Sequence, residues 1–94
     1  MITVTLQAVG PMREYFPGPG QDLELPDGAT LGDLLDRIDA AHGERLAGTS
    51  IWNRQARKFR GPVVIKAGTR LVTSRAAPLQ DRQVVSLIKA VVGG

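Results

Sequence analysis

The sequence predicts an α+β fold, a mixed sheet of four to five strands packed against one main helix. Three observations carry this expectation. The chain opens on strict alternation: Ile2, Val4, Leu6 and Ala8 are interleaved with Thr3, Thr5 and Gln7, which reads as a half-buried strand. It closes on a second strand-like run, residues 83–89. Between them, Leu31, Leu34, Leu35 and Ile38 fall at i, i+3, i+4 and i+7, one face of a helix. One amphipathic helix cannot bury its face alone and must lie across a sheet.

Composition sets the outer limits. Ninety-four residues suit one domain of 1–94 with one modest core. Apolar residues at 43% and charged residues at 22% fit a folded chain and not a disordered one. No run of about 18 apolar residues is present, and Met1-Ile2-Thr3-Val4 opens as a strand with no basic leader. The expectation is therefore a cytoplasmic protein with no membrane partner. Cysteine is absent, which removes disulfides and thiolate metal sites, and a lone His42 cannot build a histidine metal site. The net charge of +3 rests on nine arginines, with Arg54, Arg57 and Arg60 gathered around Lys58. Only Trp52 and Phe59 lie near that cluster. A nucleic-acid-binding domain usually sets more aromatics or a motif there, so a solvated loop is the reading preferred over RNA binding.

Taken in order, Gly10-Pro11 ends the first strand, and residues 10–21 form a loop too long for a tight hairpin. Met12, Tyr15 and Phe16 are expected to fold back onto the core edge. Asp22-Leu23-Glu24-Leu25 alternates again and stops at Pro26-Asp27-Gly28, so the first two strands form an antiparallel pair. Thr30 is the expected N-cap, with Asp33 at N3, of a helix over residues 30–42 that Gly43 stops. Asp33 and Arg37 are expected to pair on its wet side. His42 then falls in the last turn, where an imidazole serves the helix dipole more often than it binds a ligand. Residues 44–61 read as a surface insertion held by Trp52 and Phe59, with Glu44 to Ala47 able to extend or restart a helix. Residues 62–66 form a buried strand, Ala67-Gly68 a turn, and residues 70–73 a short strand. Pro78 to Asp81 turns the chain into the last strand, where Val85 and Leu87 face the core while Ser86 and Ile88 face out.

The first and last strands are the longest and most apolar. A single helix crossing separates them, so they can lie parallel at the sheet centre. This is the β-grasp, or ubiquitin-like, arrangement. The chain resembles the MoaD/ThiS family of sulfur carrier proteins at Thr30-Leu31 with Leu34-Leu35, at Pro78-Leu79-Gln80-Asp81, and at Ala90-Val91-Val92-Gly93-Gly94. It departs from that pattern where Gly-Asp is frequent and Arg82-Gln83 stands, and where Asn-Gly is frequent and Lys66-Ala67-Gly68 stands. Its length is nearer the molybdopterin-type and cysteine-type carriers than the thiamine-type ones, and its Thr30-Leu31-Gly32 opening followed by Glu44-Arg45-Leu46 resembles the cysteine-type carriers.

The Gly-Gly end is the specific element. At about 7% average glycine usage, two given positions are both glycine roughly once in 200 chains. Two residues without side chains can enter a narrow channel and present a carboxylate there. The resemblance implies what happens next. A partner adenylating enzyme of the ubiquitin-activating type, using ATP and magnesium, makes an acyl-adenylate at Gly94. A sulfur donor converts it to a thiocarboxylate, and a biosynthetic enzyme accepts the sulfur. Ala90, Val91, Val92 and Gly93 would thread the channel, while Ile88 and Lys89 would meet the partner. The chain would then be a carrier and cosubstrate with no bound cofactor, not an enzyme. Two other classes use parts of the same sequence: a ubiquitin-like modifier conjugated through Gly94, and a β-grasp module binding RNA or protein through its arginine loop.

Overall fold

The computed structural model describes residues 1–16, 18 and 20–89. Strands β1 (Ile2–Val9) and β2 (Gln21–Leu25) come first, joined through a short 3-10 turn at Gly10–Glu14. Helix α1 (Leu31–Ala47) follows, then two two-residue strands, β3 (Trp52–Asn53) and β4 (Lys58–Phe59). Strands β5 (Val63–Ala67), β6 (Arg70–Val72) and β7 (Val84–Lys89) complete the order. Five strands form one mixed sheet in the order β2-β1-β7-β5-β6, and β3 and β4 form a separate ribbon.

The register follows from the alternation. β1 and β7 run parallel with Leu6 opposite Val85 and Ala8 opposite Leu87. β2 pairs antiparallel with β1, setting Leu23 against Val4 and Leu25 against Ile2. β5 pairs antiparallel with β7, setting Ile65 against Leu87. Side chains repeat every two residues, so these pairings put one apolar row from each strand on the same face. Leu31, Leu34, Leu35 and Ile38 of α1 cover that face, and all are buried. No polar or charged side chain is buried among the described residues. The β-grasp expectation therefore holds, including the central parallel pair.

Thr30 caps α1 as expected. Its hydroxyl accepts the Asp33 N–H at 3.4 Å, and the Asp33 carboxylate accepts the Thr30 N–H at 2.8 Å. That reciprocal box engages two donors a helix start otherwise leaves unpaired. The Leu31 and Gly32 N–H groups donate to the Ala77 and Arg75 carbonyls, both at 2.8 Å. The helix start is thereby tied to the loop before β7. Gly32 permits this approach, since a Cβ there would stand 3.1 Å from the Arg75 carbonyl oxygen.

Three local expectations need correction. First, α1 does not stop at Gly43 but runs on to Ala47. Leu46 is fully buried, and this burial outweighs the ~1 kcal/mol that a glycine costs inside a helix. A Cβ on Gly43 would collide with the Asp39 carboxylate, which accepts the Trp52 indole N–H at 3.0 Å. Gly43 is thus a clearance residue for that bond. Second, Arg37 does not pair with Asp33. Asp33 belongs to the capping box, and Arg37 donates to the Glu24 carbonyl of β2 at 2.9 Å. Third, residues 44–61 are more than a surface insertion. Leu46, Ile51 and Trp52 are essentially inaccessible, and Trp52 meets Phe59 edge-on at 4.8 Å between ring centres. The anchoring role expected of Trp52 and Phe59 stands, but the ribbon they hold closes one end of the core.

Charged groups fasten the outside of the ribbon. Arg75 donates to Asp36 at 2.8 Å and to the Arg57 carbonyl at 2.7 Å. Arg57 and Arg54 lie 3.7 and 3.9 Å from Asp36 and Asp39. Such exposed pairs contribute at most about 1 kcal/mol each, so the aromatic contact dominates. Trp52→Ala should accordingly cost about 3–5 kcal/mol in urea unfolding. A loss below about 1 kcal/mol, the size seen for most surface changes, would show that the ribbon only decorates the surface.

Candidate functional site

The parallel pairing of β1 and β7 fixes where β7 ends. Both strands finish at the same end, with Val9 beside Ile88 and Lys89 opposite Val63 of β5. Gly10, at φ +56°, turns the chain from β1 into the 3-10 turn. This left-handed conformation suits glycine. The Lys89 ammonium then lies 5.8 Å from the centre of the Tyr15 ring, within cation–π range. Lys89 is thus held at the root of the tail. Ala90, Val91, Val92, Gly93 and Gly94, the expected threading and reacting residues, lie outside the described residues.

The outward sheet face beside this root divides into two parts. On the β2 side it is polar and acidic, with Asp22 accepting the Thr5 hydroxyl at 2.7 Å. Toward β7, β5 and β6 it is apolar with a lysine. Val9, Ile88 and Val64 form one cross-strand row, and Ser86, Lys66 and Leu71 the next. Ile88 faces out as expected but is not fully exposed, because Val9 and Val64 flank it on both sides. The exposed apolar residues of this face are Leu71 at 66% and Val84 at 39%. The alternation pattern alone could not rank these residues, since exposure depends on the neighbouring strands.

A tight turn sets the start of β7. Gln83 N–H donates to the Gln80 carbonyl at 3.2 Å, closing a four-residue turn. Three further bonds pin that turn to β1. Thr3 N–H donates to Asp81 at 2.8 Å, Arg82 N–H to the Thr3 carbonyl at 2.6 Å, and Thr5 N–H to the Gln83 carbonyl at 2.9 Å. Arg82 occupies the third position at φ +63°, where a type II turn calls for glycine. The departure noted at Arg82-Gln83 therefore places a side chain in a strained conformation at the point that sets the β1–β7 register.

A groove of about 510 Å³ lies on the other side of the sheet end, between β1, the 3-10 turn and α1. His42 stands in it, mid-helix and not in a last turn, so the dipole role expected of it does not apply. Arg45 can only donate, so its 3.3 Å contact makes His42 Nδ1 an acceptor and leaves the proton on Nε2. Phe16 meets the imidazole edge-on at 5.4 Å. Burial holds the His42 pKa below its usual value, and the Arg45 charge adds to the shift. Among the described residues, no three His, Asp or Glu side chains are grouped to hold a metal ion, and no helix is long and apolar enough to cross a membrane.

The model of the ThiS family matches residues 7–94. No curated protein is similar enough in sequence to count as a match. Solved structures of the same shape include a putative molybdopterin converting factor, subunit 1, from Pyrococcus furiosus. It is 23% identical with a TM-score of 0.72, covering 97% of this chain and 100% of that one. SAMP1 from Haloferax volcanii is 15% identical with a TM-score of 0.77, covering 98% and 99%. The small archaeal modifier protein 1 of Methanosarcina acetivorans is 18% identical with a TM-score of 0.70, covering 100% and 98%. At these identities the structural likeness establishes the β-grasp fold.

Two outcomes follow from this geometry. Arg82→Gly should relieve the turn and raise stability by about 1 kcal/mol, read as a higher urea midpoint at unchanged slope. A lower midpoint would mean that the arginine side chain contributes more than its backbone costs. The lowered His42 pKa gives a second. Above the unfolded value of about 6.5 both states are neutral and stability is full. As pH falls below it the unfolded chain takes up the proton first, so stability drops until the folded pKa is passed. Urea unfolding at pH 7.5 and pH 5.5 should show a smaller loss for His42→Gln than for the unmutated chain; equal losses would remove His42 as a cause.

Proposed function

The chain belongs to the ThiS family, and from that premise we propose that it is a sulfur carrier whose working group is the Gly94 carboxylate. The observation that supports this reading is the exit of β7. A central strand, held parallel to β1, ends at Lys89, and residues 90–94 follow it in the sequence. Five extended residues reach about 17 Å, enough to carry a carboxylate from the sheet into a partner's active site.

In this reading the protein's own side chains do no bond chemistry. A carboxylate is a poor electrophile. A ubiquitin-activating-type partner, using ATP and magnesium, joins it to AMP with loss of pyrophosphate. A sulfur donor then displaces AMP, giving a thiocarboxylate, and an acceptor enzyme takes the sulfur onward in a molybdopterin-type or cysteine-type pathway. Ala90, Val91, Val92 and Gly93 thread the partner's channel. Ile88, with exposed Val84 and Leu71 on the same outer face, forms the docking surface, and Lys89 meets the partner from the other side of the root, beside Tyr15, since exposed apolar residues beside a functional end mark interaction sites. Conjugation to lysines through Gly94 is the second reading, favoured by the fold shared with the archaeal modifier proteins.

Deleting Gly94 tests the positional argument. It draws the carboxylate back about 3.3 Å, and a misplacement of about 1 Å can already cost roughly a hundredfold in rate. The expected outcome is unchanged unfolding with loss of adenylation and thiocarboxylate formation. Intact-mass measurement after incubation with the partner, ATP and a sulfur donor reads it. Oxygen-to-sulfur exchange adds about 16 mass units, the same as methionine sulfoxide, so the shift must be localised to the C-terminal peptide, away from Met1 and Met12. An undiminished shift at the new terminus overturns the proposal. Isopeptide-linked adducts without thiocarboxylate would assign the chain to the modifiers.

A further inference from the structure

The sheet has two edges, and they are treated differently. At β2, Arg37 places its guanidinium on the Glu24 carbonyl at 2.9 Å. At β6 no such cover is present among the described residues. The two-residue connection Gly68-Thr69 makes Ala67 and Arg70 its flanking pair, and Gly68 at φ +63° is the glycine such turns call for. The flanking pair of a two-residue hairpin is hydrogen-bonded, and the antiparallel ladder alternates. The N–H and C=O of Leu71 therefore point away from β5, toward the open edge, and Thr73 follows in the same phase. Edge strands usually carry a charge, a proline or a bulge against unwanted pairing. The residue with outward backbone groups here is Leu71, with 66% of its surface exposed.

This edge borders a cleft of about 360 Å³ between the sheet and the β3–β4 ribbon. Leu31 and Leu35 of α1, Phe59 of β4 and Ile65 of β5 supply apolar walls. The charged residues on it are Lys58, Arg60 and Arg75, and no carboxylate lines it. Arg75 is engaged with Asp36. Lys58 and Arg60 are exposed and make no ion pair among the described residues. The cleft therefore combines unpaired backbone, apolar walls and two uncompensated cations.

We propose that the cleft between the β6 edge and the β3–β4 ribbon docks an extended segment of a partner protein with alternating acidic and apolar residues, added to β6 as a sixth strand. Strand addition takes affinity from main-chain bonds and selectivity from alternate side-chain pockets. The acidic side chains point into the cleft toward Lys58 and Arg60, and the alternate apolar ones lie on the outer face against exposed Leu71. A second copy of this chain is a poorer occupant, because joining two β6 edges brings like charges together. A nucleic acid is poorer still. Base stacking needs accessible rings, and Trp52 and Phe59 are 1% and 9% exposed. The inference does not depend on the tail chemistry.

A fluorescein-labelled decapeptide of alternating glutamate and valine is the probe, titrated onto the full chain by anisotropy and by amide chemical shifts. Saturable binding is expected, with the largest shifts at residues 58–60 and 71–73. Lys58→Glu combined with Arg60→Glu should weaken it at least tenfold. The same peptide N-methylated at alternate residues should also lose at least tenfold, which tests strand addition without altering the protein. The proposal is overturned if an alternating lysine–valine peptide binds equally, if no saturation occurs by millimolar peptide, or if the shifts fall on Val84 and Ile88. Preferential binding of oligouridylate at the ribbon, or dimerisation abolished by Leu71→Asp, would assign the cleft to a different occupant and overturn it as well.

Discussion

The parallel ladder between β1 and β7 is the constraint on which the rest depends. Parallel strands cannot be joined by a tight turn and need a long crossover; here that crossover contains α1, the ribbon and the β5–β6 hairpin. The ladder sits at the sheet centre, where Val4, Leu6, Val85 and Leu87 meet α1. Its direction makes both strands end together, so β7 finishes beside the 3-10 turn that follows β1. The turn at residues 80–83 sets its register through three bonds to Thr3 and Thr5. A slip of one residue would move the core-facing Val85 and Leu87 to the outer face. Arg82 holds a left-handed conformation at that point, and the three bonds to β1 are what keep it there.

The two sheet faces do different work with the same periodicity. The buried part of the inner face is apolar, and no buried polar side chain competes with the packing among the described residues. The outer face grades from acidic at β2 to apolar and cationic across β7, β5 and β6. Such a face suits association, because exposed apolar residues flanked by charge mark interaction surfaces. The ThiS family match and the structural neighbours agree on the β-grasp architecture.

The ribbon shows how a weakly patterned segment becomes necessary. Trp52 needs a partner for its indole N–H when buried. Asp39 supplies it from one turn of α1, and Gly43 leaves the space four residues later. Phe59 packs on the indole from β4, and Phe16 reaches Phe59 from beyond the 3-10 turn at 6.2 Å. Arg75 then joins the helix, the ribbon and the loop before β7 in one hydrogen-bonded junction.

The sequence alone determined the elements whose signal is local. Period-two alternation marked β1, β2 and β7, period-3.6 spacing marked the apolar face of α1, and Thr30 with Asp33 marked its start. The parallel centre followed from those pieces, because one helix crossing between two apolar strands leaves few alternatives, and the Gly-Gly end pointed to a family through residues adjacent in sequence. What the sequence could not decide were outcomes of long-range contact. Gly43 reads as a stop until Asp39, Trp52 and the buried Leu46 are brought around it. Arg37 reads as an i, i+4 partner until a β2 carbonyl comes within reach. Residues 44–61 read as an insertion because Trp52 and Phe59 find each other only across a turn, and Ile88 reads as bare until Val9 and Val64 flank it. Local patterns specify which way a side chain points, whereas its cover depends on which strand lies alongside, and only the assembled sheet settles that.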